Sequence, residues 1–387
     1  MTAAICAAER EKSILLLEKA DRPGRKILAS GNGRCNLMNS GKPRYYGDAE
    51  FARRVLSACT PEDLKSFFCR YGLLVSEEGE GRIYPVTGQA SSVVSVLKNA
   101  MEMLGVRSVT GKQAVSVAKE KDAFTIYTSS GETYCSDRII IACGGAASPK
   151  LGGTYDGYRL LQSMGHTFIP AFPSLVPLNT DKKSVSGLSG IRIRCGVTLK
   201  HREETIHTEE GEVLFTDYGV SGICIMQCAR FTGQTGTYIE LDLIRHVFSD
   251  QEAAFRELLR RKTFFQACSP IWLLNGVLPE KVSFAVLKQA GLPMRGEKAG
   301  EVSEEALHRI AETAAKYRID ITGTRGFDQA QVTAGGIDCG EFSPFSLESV
   351  IVPGLFAAGE VLNVDGDCGG FNLMFAFASG ITAGRAV

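Results

Sequence analysis

The chain has 387 residues, 44% of them hydrophobic, and its 43 cations balance 43 anions. Such a length supports one large or two medium domains with an ample core, and an even charge without a basic stripe or acidic tail argues against nucleic acid as a partner. The longest apolar runs, such as Ile139 to Cys143, are far too short to span a bilayer, and Glu9, Arg10, Glu11 and Lys12 interrupt any signal-like start.

In chain order, Met1 to Arg10 reads as the end of a helix and Ser13 to Leu17 as a buried strand closed by Glu18. A helix, a strand and an acid form the second half of a βαβ nucleotide-binding unit, in which the acid accepts hydrogen bonds from a ribose hydroxyl. The first half, a strand with a Gly-x-Gly-x-x-Gly turn, is missing before it. Met1 is therefore expected to be an internal methionine of a longer reading frame. Residues 24 to 39 follow with neither helical nor strand periodicity. Their glycines and asparagines suit a backbone that turns through positive φ towards a ligand, and Arg25, Lys26 and Arg34 suit phosphate or a polarised ring.

Residues 48 to 74 read as two helices, the second opened by Pro61 after Thr60, and Gln89 to Leu104 as an amphipathic helix. A β-meander is expected from Ala114 to Lys119, Phe124 to Thr128 and Glu132 to Cys135. Arg138 to Cys143 is a buried strand running into Gly144-Gly145, and Tyr158 to Met164 a helix. Pro170, Pro173 and Pro177 mark an extended connector. Short β-like runs then extend from Leu178 to Leu243, and residues 250 to 316 read as helical, broken by Pro270, Pro279, Pro293 and Gly300. The middle third thus reads as an inserted domain. Two further buried strands, Gln331 to Ile337 and Gly354 to Glu360, precede Asp365-Gly366-Asp367-Cys368-Gly369-Gly370-Phe371-Asn372 and a helix from Ala376 to Ala386. A Gly-Gly pair at a helix start presents free N–H groups to an anionic or carbonyl-rich ligand. The twelve cysteines contain no Cys-x-x-Cys, and the five histidines lack ligand spacing. These patterns read as reduced thiols in a cytoplasmic protein with no metal site.

Several blocks together carry a family resemblance. They are Gly24 to Leu28 with Ser30-Gly31-Asn32-Gly33-Arg34-Cys35-Asn36; Ser174-Leu175-Val176-Pro177-Leu178; Leu214-Phe215-Thr216 with Ser221-Gly222; Val332-Thr333-Ala334-Gly335-Gly336; and Gly359-Glu360 with Gly369 to Asn372. On these the chain resembles, over essentially its whole length, the BaiN/YhiN-type NAD(P)/FAD-dependent oxidoreductases (aminoacetone-oxidase-like flavoproteins), which are related to glutathione reductase. The resemblance implies an α/β fold. An FAD-binding Rossmann-like domain, residues 1–170 and 333–387, would be interrupted by an insert over 171–332. The insert would pair a β-barrel, about 171–248 and 317–332, with a helical part, about 249–316.

By the same resemblance, Glu18 would hold the adenosine ribose, and Lys19, Arg25 and Lys26 would line the dinucleotide. Gly31, Asn32, Gly33, Arg34, Cys35 and Asn36 would approach the flavin. Val115 would lie near adenine, and Ala142 and Gly144 would approach the cofactor backbone. Gly359, Glu360 and Asp365 would meet the ribityl and pyrophosphate region, and Gly370, Phe371, Asn372 and Leu373 the isoalloxazine carbonyls. The chain departs from the family pattern at Asp217, where His is usual, and at Ile223, where Pro is usual. It also ends, at Val387, within the closing helix of the family. The implied activity is hydride transfer between NAD(P)H, FAD and a small organic acceptor such as a conjugated carbonyl. Its alternatives are a truncated, FAD-deficient, inactive form and an FAD-dependent oxidase or monooxygenase. Cys35 has no second cysteine beside it, so dithiol chemistry is disfavoured and a small packed side chain is expected. No residue is assigned as catalytic acid or base.

Overall fold

The structure is a computed structural model that describes residues 1–292 and 297–387; Pro293 lies outside the described residues. The chain forms two compact units, residues 1–174 with 327–387 and residues 175–326.

The first unit opens with helix α1 (Thr2–Ala8), strand β1 (Leu15–Glu18), the short helix α2 (Arg25–Ala29), and strands β2 (Met38–Asn39) and β3 (Tyr45–Gly47). Helix α2 corrects the expectation that residues 24 to 39 lack regular structure. Arg, Lys, Ile, Leu and Ala are all adequate helix formers, but five residues are too few for a periodicity to show. Helices α3 (Ala49–Ala58) and α4 (Pro61–Arg70) follow as expected. A capping box between Thr60 and Asp63, with Pro61 in the first turn, fixes where α4 begins.

Strands β4 (Val75–Glu77) and β5 (Arg82–Pro85) make a hairpin, and helix α5 (Ala90–Met103) leads to β6 (Arg107–Thr110). The meander is present as β7 (Ala114–Glu120), β8 (Ala123–Thr128) and β9 (Thr133–Ser136), all antiparallel. Strand β10 (Ile139–Ile141) is shorter than expected, because the chain leaves the sheet at Ala142 on its way into the Gly144 turn. Helix α6 (Asp156–Ser163) leads to β11 (Phe168–Ser174). The stretch read as a proline connector is therefore largely a strand. It pairs antiparallel with β18 (Val332–Ile337), and a register shift between Ile169 and Phe172 absorbs Pro170, which has no N–H to give to the ladder.

The second unit contains a closed barrel in the order β12-β15-β14-β13-β16-β17. Its strands are β12 (Leu178–Thr180), β13 (Arg192–His201), β14 (Glu204–Phe215), β15 (Gly219–Ser221), β16 (Thr237–Asp242) and β17 (Tyr317–Thr324), with short helices α7 (Lys182–Val185) and α8 (Ile223–Cys228). Closure leaves no open sheet edge. Helices α9 (Gln251–Phe264), α10 (Glu280–Gln289) and α11 (Glu304–Ala315) make its helical part. The crossings between units fall at 174/175 and 326/327, inside the expected 171 and 332. The flanking residues on the first unit's side belong to β11 and its approach to β18.

After α12 (Gly326–Gln329) and β18 come β19 (Leu355–Ala357), β20 (Val364–Gly366) and helix α13 (Phe371–Ala386). Two parallel ladders, β1 with β6 and β10 with β19, carry the nucleotide-fold character of the first unit. Helix α13 begins at Phe371, earlier than the expected Ala376, and is buried along most of its length. It packs against α1 through small residues: a Cβ on Gly384 would lie 2.3 Å from the Ala3 carbonyl oxygen. Phe68 meets Phe377 edge-on at 5.1 Å in the same core.

The loop from 338 to 354 is held by a buried polar relay. His166 Nδ1 pairs with Glu341 Oε2 at 2.8 Å, and Ser349 Oγ pairs with His166 Nε2 at 3.0 Å. The same Ser349 oxygen accepts the Ile351 and Val352 amides, and the His166 ring stacks on Phe342.

Candidate functional site

Two clusters in the first unit gather most of the sequence-expected residues. The first lies at the carboxyl ends of β1, β10 and β19, where a parallel α/β fold presents its ligands. Glu18 closes β1, and its Oε1 accepts the Ala20 amide at 2.8 Å. Lys19 faces Asp156 at 3.5 Å. Arg25 donates to the Lys150 carbonyl at 3.2 Å. Lys26 Nζ meets Glu360 Oε2 at 2.9 Å, while Glu360 Oε1 accepts the Thr333 amide at 2.8 Å. Gly144 borders both members of that pair, since a Cβ there would stand 3.8 Å from Glu360 Oε2 and 3.9 Å from Lys26 Nζ. Ala142 and Cys143 are exposed at the end of β10. Gly359 donates its amide to the buried Ser379 hydroxyl at 3.0 Å.

The second cluster joins the loop after α2 to the start of α13. Gly31, Asn32, Gly33 and Cys35 all have positive φ, at 55°, 54°, 81° and 58°. Two of the loop's amides are spent internally, Arg34 on the Gly31 carbonyl at 3.1 Å and Cys35 on the Ser30 carbonyl at 3.0 Å. Gly370 caps α13 at φ 105° with no side-chain cap, so the first-turn N–H groups have no intrahelical acceptor. A Cβ on Gly370 would stand 2.7 Å from Asn36 Oδ1 and 2.7 Å from the Met38 carbonyl, so the two segments touch through it. Asn36 Oδ1 is buried without a hydrogen-bond partner. Asn39 ties the arrangement together, donating to the Gly369 carbonyl at 2.9 Å and to the Glu80 carbonyl at 3.2 Å.

Other expected residues sit differently. The Asn372 side chain spans back to Gly366, accepting its amide and donating to its carbonyl, both at 2.8 Å, so it shapes the turn before α13. The Phe371 carbonyl accepts the Tyr45 hydroxyl at 2.8 Å, and Leu373 is half-buried. Asp365 is buried and accepts from Ser174 Oγ at 3.2 Å. Val115 is exposed at the register shift between Ala114 and Ser116, apart from the ladder pairs. Arg34 directs its guanidinium fork onto Glu78 and over the Tyr84 ring. Cys35 is fully buried, and burial pushes its thiol up to about 11, with Ser30 opposing the shift. A thiol so held stays protonated at neutral pH and is a packed side chain rather than a nucleophile. Sequence reading passed over Glu78, Tyr84, Asn39 and Asp156 as participants, and noted Thr333 only within its motif.

The arrangement sets hydrogen-bond donors beside an unpartnered acceptor. The α13 amides offer donors, and the unpartnered Asn36 oxygen asks for one. The cations Lys19, Arg25 and Lys26 stand at the other cluster, Lys19 and Lys26 paired with Asp156 and Glu360.

The HI0933-like protein Rossmann domain family matches residues 1–386. The chain belongs to that family. It is 35% identical to a 3-dehydro-bile acid delta(4,6)-reductase of Clostridium scindens, over 398 aligned residues that cover 100% of this chain and 96% of the relative. It is 28% identical to a ribosomal RNA dihydrouridine synthase of Escherichia coli, covering 96% and 91%. Among solved structures, a 3-ketosteroid-delta4-(5alpha)-dehydrogenase of Rhodococcus jostii RHA1 overlaps 100% of this chain and 93% of its own, at 14% identity and a TM-score of 0.48. The HI0933-like chain is thus an α/β enzyme of the flavin-dependent oxidoreductase class. No described helix is long and apolar enough to cross a membrane.

Proposed function

We propose that this protein binds FAD and uses NAD(P)H to reduce a carbon–carbon double bond conjugated to a carbonyl in a small organic acceptor. The observation that carries the cofactor reading is the meeting of Asn36 and the α13 N-terminus across Gly370. The pyrimidine edge of a flavin carries an N–H between two carbonyl groups. That pattern complements a buried amide oxygen beside uncapped helix N–H groups. The reading of the acceptor is supported by the delta(4,6)-reductase activity in the name of the Clostridium scindens relative.

In this reading Glu18 accepts from the adenosine ribose, Lys19, Arg25 and Lys26 line the pyrophosphate side, and Val115 lies towards adenine. Ala142, Gly144, Gly359, Glu360 and Asp365 border the dinucleotide backbone. Gly31 to Asn36 and Gly370 to Leu373 border the ring. A bound flavin would supply the redox chemistry, relaying a hydride equivalent from NAD(P)H to one carbon of the acceptor double bond while a proton from solvent completes the other. The chain's contribution is orientation: α13 sets its first-turn N–H groups, Gly370 lets the Asn36 segment pack directly against them, and Lys26 holds Glu360 so that its carboxylate stays engaged.

The test is to purify the chain and titrate it with FAD, then add NADH or NADPH without oxygen, followed by a 3-keto-Δ4 steroid. Stoichiometric flavin, bleached by one of the nucleotides and recoloured by the enone, supports the proposal. A protein indifferent to FAD refutes it. Rapid recolouring by air with no response to the enone identifies an oxidase instead.

A further inference from the structure

We propose that Arg34 is a positioning residue: it clamps the flavin-facing loop 30–36 to the β4–β5 hairpin through Glu78 and Tyr84, an inference that rests on the cofactor reading above. The loop needs an external hold. Asn32 and Cys35 both occupy the left-handed region, which an L-residue adopts only at a cost of roughly 1–2 kcal/mol. Such a conformation persists where the surroundings over-determine it.

The holds are visible on both sides. Inside, Cys35 is buried and two loop amides bond within the loop. Outside, both nitrogens of the Arg34 fork engage both Glu78 oxygens, one at 3.1 Å and the other closer, and the guanidinium carbon lies 4.3 Å from the Tyr84 ring centroid. Tyr84 also borders the loop itself, since a Cβ on Gly31 would stand 3.6 Å from its Cε1. The ring is therefore in reach of both Gly31, where the left-turning backbone begins, and the Arg34 side chain.

The hairpin is a suitable anchor because it already carries the loop's exit. Leu37 donates to the Ile83 carbonyl at 2.9 Å, and β2 pairs with β5 at Met38 and Asn39. Its turn reaches the other ring-facing segment through Asn39, which bonds both Glu80 and Gly369. Arg34 and Glu78 are 44% and 42% exposed. An exposed pair adds little to global stability, whereas a bidentate, stacked fork fixes geometry. The clamp's effect thus falls on the preorganisation of the loop, not on the fold.

The experiment uses the full chain with Arg34→Met, Arg34→Lys, Glu78→Gln and the exchange Arg34→Glu/Glu78→Arg. FAD affinity, the visible circular dichroism of bound flavin and amide hydrogen exchange of residues 31–36 are measured beside the melting temperature. Arg34→Met and Glu78→Gln are expected to weaken FAD binding by about tenfold, the equivalent of releasing the strain of one left-handed residue. They should also change the flavin dichroism and speed exchange in the loop, with melting moved by no more than about 2 °C. Arg34→Lys should resemble Arg34→Met, since a point charge neither forks nor stacks, and the exchange should recover part of the affinity. Unchanged loop exchange in Glu78→Gln overturns the clamp, as does wild-type affinity in Arg34→Met. A wild-type chain that ignores FAD removes the cofactor reading and the positioning role with it, while exchange still reports whether Arg34 holds the loop.

Discussion

Replacing Gly370 by alanine tests how closely the loop after α2 and the start of α13 fit. Gly370 sits at φ 105°, and its missing Cβ would stand 2.7 Å from both Asn36 Oδ1 and the Met38 carbonyl oxygen. Two costs add. Left-handed backbone with a side chain costs about 1–2 kcal/mol. Forcing a methyl into a packed contact costs about 1–3 kcal/mol more, because a main-chain carbonyl cannot swing aside as a flexible side chain can. The sum is about 2–5 kcal/mol.

Gly72 provides the control. It has φ 87° with nothing within 4 Å of its would-be Cβ, so Gly72→Ala should show the backbone cost alone, about 1–2 kcal/mol. Urea unfolding of both variants gives the difference, and FAD titration gives its consequence. Gly370→Ala should be the less stable by at least about 1 kcal/mol and should lose FAD affinity, while Gly72→Ala keeps it. Equal stability losses, or wild-type FAD affinity in Gly370→Ala, would refute the reasoning that these two segments meet in a space with no room for a methyl.

Further outcomes are expected elsewhere. The Cys35 thiol, pushed up to about 11 by burial, should resist a thiol reagent at pH 8 in the folded protein while the exposed Cys69 and Cys135 react; labelling at Cys35 as fast as at Cys69 would contradict its burial. Thr333→Val removes the acceptor of the Ala147 amide, a buried bond of 2.9 Å, and should cost about 1–3 kcal/mol in urea unfolding; a loss below about 0.5 kcal/mol would mean that the amide finds another partner. For Glu341, burial pushes the carboxyl up, but bonds from Thr167 and His166 outweigh it and hold the group below its ordinary value. Its contribution is present above the unfolded value of about 4.3 and is lost as pH falls through the lower folded value. Glu341→Gln should therefore be less stable than wild type at pH 7, with the gap closing as the solution is acidified past pH 4 or so; a pH-independent gap would exclude the carboxylate as its source.

Much of the framework was legible because it is written in local signals. Thr60, Pro61 and Asp63 announce α4, and the Ser129-Ser130-Gly131 turn separates two strands of the meander. The glycines after Ala29 announce left-handed backbone, and four residues of that loop adopt it. What escaped depends on distance or on direction. Arg34 and Glu78 are 44 residues apart, and nothing local tells a cation to face a hairpin instead of a ligand. Asn372 was legible as a polar residue at a helix start, but not as one that turns back to Gly366. The prolines of β11 hid a strand, because its pairing with β18 skips a position that no periodicity reveals.

The separations that build the site also set the order in which it can form. Lys26 and Glu360 are 334 residues apart, Asn39 and Gly369 330, and Tyr45 and Phe371 326. At a synthesis rate of about 5–20 residues per second, the first partner of each pair waits roughly 20–70 seconds on the ribosome for the second. Throughout that interval α1 lacks the helix it packs against, and the barrel is made before the unit whose sequence it interrupts is complete. Completion of the first unit is therefore the last folding event, and a slowly translated insert would lengthen the time for which an unfinished apolar core is exposed to aggregation.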